Sequence, residues 1–332
     1  MKKALTFSFS FVGTVIGAGF ATGREILLFF GDCSLLSVIF SGFFLGLFCF
    51  IILRLSSSFG SIFRSFGFLE KPIRVFIVLA NFCVLCATIS GAESVLSQVF
   101  SIRGGGVLTA FLCLSVVLLG LRGVHSINLV AVPVILLLVF VVFFKSDTSF
   151  LPLTGKISIV KPFNYAAMNL VSGGFLLGAS SRSPTKKESV LCALVSGITL
   201  TVMLVLIRLS VQGVSAEMPF LAKADSLGLT FIGYLVLYLA MVTTVIGTTT
   251  VCSCGKKPVA VFFIFAAIII STFGFQTIVD AAYPILGAVG GAITVCSLVI
   301  YLLSLSPKFS RYYTLLFRPN DSLFRRRSPR EN

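Results

Sequence analysis

Apolar residues in this chain come in long, nearly unbroken runs. They do not show the three-and-four spacing of a surface helix or the alternation of a half-buried strand. Between clusters of charged and turn residues, the runs cover about residues 5–30, 35–53, 73–94, 107–121, 127–144, 163–181, 189–210, 229–251, 258–274 and 279–304. An α-helix needs about 20 apolar residues to cross a bilayer, so the pattern predicts ten spanning helices, of which the fourth and ninth are short. Two longer intervals, 56–72 and 211–228, follow the second and seventh runs. The first run opens on Met1-Lys2-Lys3, as a signal peptide would. Its apolar character continues through Ile26 to Phe30, past a cleavage point at Ala21, so it is read as a span.

Composition agrees. The 332 residues are 57% apolar and 11% charged, with a mean hydropathy of +1.08. A soluble domain has about 25% charged residues, so too little polar surface is present to coat a water-exposed globule. The expectation is one integral membrane domain, 1–306, with repeat halves at about 1–150 and 156–306, followed by a basic tail, 307–332.

The net charge of +15 matters through its distribution. With the N-terminus inside, nineteen of the 26 Lys and Arg fall on the cytoplasmic side, including Arg325-Arg326-Arg327 of the tail. The other seven, Arg24, Arg103, Lys145, Lys156, Lys161, Arg208 and Lys223, are balanced by Glu25, Asp32, Glu93, Asp147, Glu217, Asp225 and Asp280. Positive charge retained inside and an even span count therefore both place the two termini in the cytoplasm. The tail reads as a solvated segment that touches anionic lipid, not as a nucleic-acid binder. Oligomeric state leaves no mark in the sequence.

Nine Cys, mostly in apolar runs, read as small hydrophobes. Cys83-x-x-Cys86 lacks a second pair at metal-ligand spacing, and the only His is His125, assigned to a cytoplasmic turn. No resident cofactor or metal site is expected beyond a coupling ion. A multispan enzyme would need titratable clusters that the chain does not offer, and no phosphate-binding motif points to an ATPase.

The first run contains Gly17-Ala18-Gly19-Phe20-Ala21-Thr22-Gly23, and a shift of 155 residues lays it on Ser172-Gly173-Gly174-Phe175-Leu176-Leu177-Gly178 in the sixth run. Five spans separate the two, so they run in opposite directions. Close small-xxx-small packing, Gly13 to Gly17 and Gly19 to Gly23, is one explanation. Paired glycine-interrupted segments in two inverted halves are also the sequence pointer to a secondary transporter's site. On that reading Gly17, Ala18, Gly19, Phe20, Thr22, Ser172, Gly173, Gly174 and Phe175 surround the substrate. Freed N–H groups near Thr22 to Arg24 would suit an anion, and carbonyls from Val15 to Ala18 a cation or ammonium group.

The stretch Gly13-Thr-Val-Ile-Gly-Ala-Gly-Phe-Ala-Thr-Gly-Arg-Glu-Ile, with Phe29-Phe30 and with Tyr283-Pro-Ile-Leu-Gly287, resembles the YkvI-type membrane proteins. These look like members of the amino acid, polyamine and organocation transporter superfamily of bacterial cytoplasmic membranes. The resemblance covers most of residues 4 to 304, with Arg24 where that motif is expected to carry Gln. It implies an all-α, LeuT-like core of five plus five inverted helices, discontinuous in helices 1 and 6. It also implies a sodium site from helix 1 carbonyls at Val15 and Ala18 with the hydroxyls of Thr243 and Thr244. The bland alternative for those threonines is bonding to their own helix.

Arg24, Glu25 and Glu93 are proton or gate candidates. Glu93 is set against a solvated position near the outer boundary, and Arg24 against an interfacial ion pair. In helix 3, Asn81, Thr88 and Ser90 face either the cavity or neighbouring helices. The expected function is secondary active transport of a small polar metabolite, an amino acid or similar zwitterion or cation, coupled to Na+ or H+. A transporter-shaped ligand sensor or channel, like germinant-receptor subunits, is the alternative.

Overall fold

The computed structural model describes residues 2–59, 61–101, 103–146, 155–180, 184–216 and 218–306. The expected basic tail, 307–332, lies outside the described residues, as do Asp147, Arg182, Glu217 and the side chain of Asp280.

Helix occupies each interval that the apolar runs mark. The first holds α1 (Lys2–Val15), α2 (Ala18–Ala21) and α3 (Arg24–Phe30). Then come α4 (Leu35–Phe59), α5 (Glu70–Phe100), α6 (Gly105–Leu118) and α7 (Leu121–Lys145). The sixth interval is α8 (Val160–Asn169), a π-helical turn (Leu170–Gly174) and α9 (Phe175–Ser180). It is followed by α10 (Lys186–Ser210), a short α11 (Pro219–Ser226), α12 (Thr230–Ser253), α13 (Lys257–Ser271) and α14 (Phe275–Ser304). Six helical stretches, Leu35–Phe59, Phe63–Phe100, Leu121–Lys145, Lys186–Ser210, Thr230–Ser253 and Ile285–Ser304, are long and apolar enough to cross a membrane, while α6 and α13 are the shorter apolar helices. The protein is a multi-pass integral membrane protein.

Surface chemistry fits that placement. The exposed side chains of α6, α7 and α13 include Leu108, Leu112, Val130, Leu137, Phe144 and Phe262, a surface that hydrocarbon covers at no cost and water does not. Inside, helices meet through small residues. A methyl added to Gly197 on α10 would lie 3.3 Å from both Gly46 Cα and Gly42 O on α4, the close approach that lets dispersion and weak backbone contacts hold helices together in lipid.

Helix ends follow local signals. Thr185 and Glu188 form a reciprocal capping box at α10. Proline stands in the first turn of α11 and α13, where its missing N–H costs nothing. Glu93 of α5 accepts from Gly104 N at 2.8 Å and Gly106 N at 2.7 Å, supplying α6 with the acceptor its first amides lack.

The long intervals are not bare loops. The first contains a 3₁₀ helix, Phe63–Leu69, and the second contains α11. Each packs on one of the two glycine-rich segments. Phe63 lies 5.1 Å, ring to ring, from Phe175, and Phe220 N of α11 donates to Thr22 O at 2.9 Å. The positions related by the 155-residue shift show the same pairing. A methyl on Gly178 would meet Ile62 Cγ2 at 2.8 Å, and one on Gly23 would meet Val211 Cγ1 at 2.9 Å.

Candidate functional site

Helical bonding stops at Val15. Ile16 N still reaches Val12 O, but Gly17 N turns back to Val15 O at 2.8 Å, a three-residue turn that ends the helix. A second bend follows at Gly23, whose φ of 77° is left-handed and suits glycine. Apolar burial holds the interrupted stretch in place, because Ile16, Phe20, Ala21 and Ile26 are all fully buried.

The sixth interval solves the same problem differently. Its backbone stays helical and widens into the π turn across Leu170–Gly174, where the sequence leads one to expect an unwound stretch. A π turn leaves the carbonyl ladder out of step, and the buried Asn81 of α5 donates its Nδ2 to Val171 O at 3.1 Å. Asn81 is thus a helix-to-helix tie. Thr88 bonds Val84 O of its own helix at 2.7 Å.

Beside the break lies an enclosed cavity lined by Thr14, Val15, Gly17, Glu25, Asn169, Ser172, Thr244 and Tyr283, with Val84, Met168 and Leu286 as its apolar wall. Its volume, about 20 Å³, is that of roughly one water. A larger groove of about 540 Å³ between α4 and α10 is walled by apolar residues such as Phe43, Leu194 and Ile198 and by no ionisable group. It belongs to the outer surface, because those three side chains are exposed.

Among the described residues Glu25 is the one ionisable carboxyl in the cavity wall, 5% exposed at the start of α3. Tyr283 of α14 hydrogen-bonds its carboxyl group. Tyr165 of α8, fully buried, lies within electrostatic reach of Glu25. The rings of Phe29 and Phe30 meet the Tyr165 ring edge-on at 5.3 and 5.2 Å. Asn169 donates to Tyr165 O at 3.0 Å.

The far end of α3 is also held. Arg208 of α10, 4% exposed, donates to Phe30 O at 3.2 Å and Gly31 O at 3.1 Å, so a cation complements the negative end of the helix. Beyond it Asp32 pairs with Lys161 at 2.5 Å, which holds the Asp32 carboxyl below the usual carboxylate range. Ser34 N donates to Lys156 O and Lys156 N to Asp32 O, tying the chain that follows α3 to the chain that precedes α8.

Among the expected substrate residues, Gly17 and Ser172 line the cavity. Gly19 lies behind Glu25, since a methyl there would strike that side chain. Ala18 contributes backbone to α2. Phe20 is core, and Phe175 packs on Phe63 and Phe66. Gly173 and Gly174 are contact points, where added methyls would meet Val15 Cγ2 at 2.9 Å and Ile52 Cδ1 at 2.5 Å. The expected free N–H groups near Thr22 are taken: Gly23 N donates to Phe20 O at 3.0 Å and Arg24 N to Thr22 Oγ1 at 3.3 Å, because the Thr22 hydroxyl and the tight turn supply nearer acceptors.

Of the expected coupling-ion residues, Val15 and Thr244 line the cavity, and Thr244 Oγ1 donates to Ile16 O at 3.2 Å. Thr243 bonds Ala240 O of its own helix at 2.9 Å. Of the gate candidates Glu25 is at the site, Arg24 is half-buried outside the cavity wall, and Glu93 caps α6. His125 lies within α7, half-buried, with its Nδ1 2.5 Å from Ser10 Oγ of α1.

Sequence reasoning did not single out Tyr165, Asn169 and Arg208, and took Tyr283 only as part of a motif. A signal was present for two of them, because Tyr165, Asn169 and Ser172 fall at helical spacing on one face.

No family model matches the chain. It is similar to the uncharacterised membrane protein YkvI of Bacillus subtilis (strain 168), 26% identical over 330 residues that cover 86% of this chain and 93% of that one. Its fold is shared with MhsT in complex with L-phenylalanine, at a TM-score of 0.65 and 15% identity over 95% of each chain. A mutant of the manganese transporter of Eremococcus coleocola superposes at 0.63 and 15% identity over 95% of this chain and 84% of that one. Mhp1, a nucleobase-cation-symport-1 family transporter with bromovinylhydantoin bound, superposes at 0.55 and 14% identity over 95% and 81%. The fold is therefore the LeuT-like one of these transporters, in a membrane protein whose sequence is similar to YkvI.

Proposed function

We propose that the protein is a secondary active transporter that moves a small polar metabolite, an amino acid or a similar zwitterion or cation, by alternating access coupled to Na+ or H+. The observation that carries this reading is the interruption of the first helix at Ile16–Gly17 against an enclosed polar cavity that also receives Glu25 and the π-turn residue Ser172. Backbone leaves its helical ladder at membrane depth only where it lines a cavity or is buried in protein, and a closed central site is what an alternating-access protein has between its two open states.

In this reading α1 to α7 form one five-span half and α8 to α14 the other, inverted, with both termini and the basic tail on the cytoplasmic side of a bacterial membrane and the tail against anionic lipid. The matched packing of Gly23 on Val211 and Gly178 on Ile62 supports the inverted pairing. Val15 and Thr244, which both line the cavity beside the break, support a cation site there. The bound L-phenylalanine of MhsT and the cation of the manganese transporter are named with the same fold and support a small polar cargo.

Counterflow in proteoliposomes tests the reading, with a labelled ligand chosen from a thermal-shift screen of amino acids and amines. Accumulation of label against unlabelled ligand is the expected result. Saturable binding without counterflow would replace the transporter by a sensor, and simple dissipation of the gradient would replace it by a channel. Replacement of sodium by choline identifies the coupling ion.

A further inference from the structure

Among the described acidic side chains, all but one are matched or exposed. Asp32 pairs with Lys161 and Glu70 with Arg74. Glu93 accepts two backbone amides, Glu188 caps α10, and Asp225 is exposed beside Thr230. Glu25 alone is buried, and none of the ion pairs among the described residues includes it.

Among the described residues, the groups that line the cavity with it are neutral. Among the described residues, the phenols of Tyr283 on α14 and Tyr165 on α8 are the titratable groups that face it. Gly19 of α2 lies against its side chain, and Thr14 of α1 and Thr244 of α12 share the cavity wall. Arg24, adjacent in sequence, is outside that wall. The nearest buried cation on a packed element is Arg208 of α10, which is committed to the carbonyls of Phe30 and Gly31. Those carbonyls are five and six residues along α3, about 8 Å at 1.5 Å per residue. A carboxylate withdrawn from water and not matched by a cation is expensive, and it escapes that cost by taking up a proton. The cavity around it has room for roughly one water, so solvent cannot replace the missing cation.

We propose that Glu25 is the proton-carrying group of this protein: in the closed state its carboxyl holds one proton, hydrogen-bonded with Tyr283 and set beside Tyr165. The proton is taken up from the side to which the cavity last opened, and it is released from the carboxyl to the other side when the cavity opens there. This assigns H+, not Na+, as the ion whose binding permits closure. Its coupling role rests on the transporter reading, whereas the protonation itself is a property of the folded chain alone.

Infrared difference spectroscopy of the full chain in detergent at pH 7 tests this without any substrate, the proton itself being the probe. Exposed Asp and Glu are ionised there, since their unperturbed values are about 3.9 and 4.3. A carboxylic C=O band that moves to lower frequency in D2O therefore reports a buried protonated acid. The expected result is one such band in the native chain, lost in Glu25→Gln and shifted to higher frequency, not lost, in Tyr283→Phe. Absence of the band from the native chain, or its survival unchanged in Glu25→Gln, overturns the proposal. Should Glu25→Gln fail to fold, Tyr283→Phe decides: a shifted band supports the assignment and an unmoved one overturns it. A chain that keeps the band but fails in counterflow removes the transporter reading and leaves the proton site standing, and the converse result does the opposite.

Discussion

Gly17→Ala and Gly19→Ala differ by two residues on one interrupted segment and should behave very differently. A methyl at Gly17 would lie 3.5 Å from Thr244 Oγ1 and 3.8 Å from its Cγ2, ordinary contacts that demand no movement. A methyl at Gly19 would lie 2.5 Å from Glu25 Cδ and 2.6 Å from its Cγ, and closer still to Oε1. Glu25 would have to swing away, and it has little room to do so. Tyr283 holds its carboxyl, and Phe20 and Ile26 on the same segment are fully buried. Forcing a methyl into a packed interior costs about 1–3 kcal/mol, and loss of the Tyr283 hydrogen bond adds about 1 kcal/mol. Gly19→Ala is therefore expected to lose about 2–4 kcal/mol of stability, and Gly17→Ala less than about 1 kcal/mol. Unfolding of both variants in one detergent reads the difference, and the C=O band at pH 7 reads where Glu25 has gone: shifted in Gly19→Ala, unchanged in Gly17→Ala. Equal stability and identical bands in the two variants would refute the placement of Glu25 against α2.

Glu93→Ala, which removes both acceptors from the start of α6, should cost about 1.5–3 kcal/mol by the same unfolding measurement and leave the neutral-pH carboxyl band intact. Arg208→Met strips the Phe30 and Gly31 carbonyls of their donors and should destabilise by about 1.5–3 kcal/mol, with Arg208→Lys recovering part of the loss. Gly174→Ala should destabilise through Ile52 and Leu170, 2.5 and 2.6 Å from the new methyl, while ligand binding in a thermal-shift titration keeps its affinity. Asp32 is held below its usual range by Lys161, so its contribution is full above the unfolded value of about 3.9 and disappears as pH falls through the lower folded value. The native chain should lose melting temperature over that acid window relative to Asp32→Asn, by a small amount because the pair is exposed.

The fold was legible where lipid dictates the pattern. Runs of apolar residues bounded by charge mark helices reliably, because a bilayer tolerates no unpaired backbone and so removes most alternatives. The intervals at 107–121 and 258–274 read as short, and α6 and α13 are short. Less legible were the pieces governed by local contacts. The 3₁₀ helix at Phe63–Leu69 and α11 lie in stretches without helical periodicity of their own, and Phe175 and Thr22, distant in sequence, are what they pack on. The glycines gave the location of the break but not its form. Gly17 ends a helix outright, whereas Gly173 and Gly174 sit in a turn that stays hydrogen-bonded, with Asn81 supplying a partner for the Val171 carbonyl.

That difference changes what the site is made of. Glycine-rich segments suggest a cavity walled by bare peptide groups, with amides for an anion and carbonyls for a cation. In the folded chain the amides of Gly23 and Arg24 are already bonded, and the Ile16 carbonyl already accepts from Thr244. Side chains supply the polar wall instead, and they come from positions that look unremarkable in a linear reading: Glu25 beside an arginine, Asn169 and Tyr165 in an apolar run, Tyr283 before a proline. Adjacent charges such as Arg24 and Glu25 invite an ion-pair assignment, because sequence neighbours seem close. On a helix consecutive residues point about 100° apart, so α3 turns Glu25 into the cavity wall and leaves Arg24 outside it. A pair that nearly cancels in any count of charge thus becomes, once the helix is wound, an unmatched acid in the middle of the protein, and the site's chemistry follows from that separation.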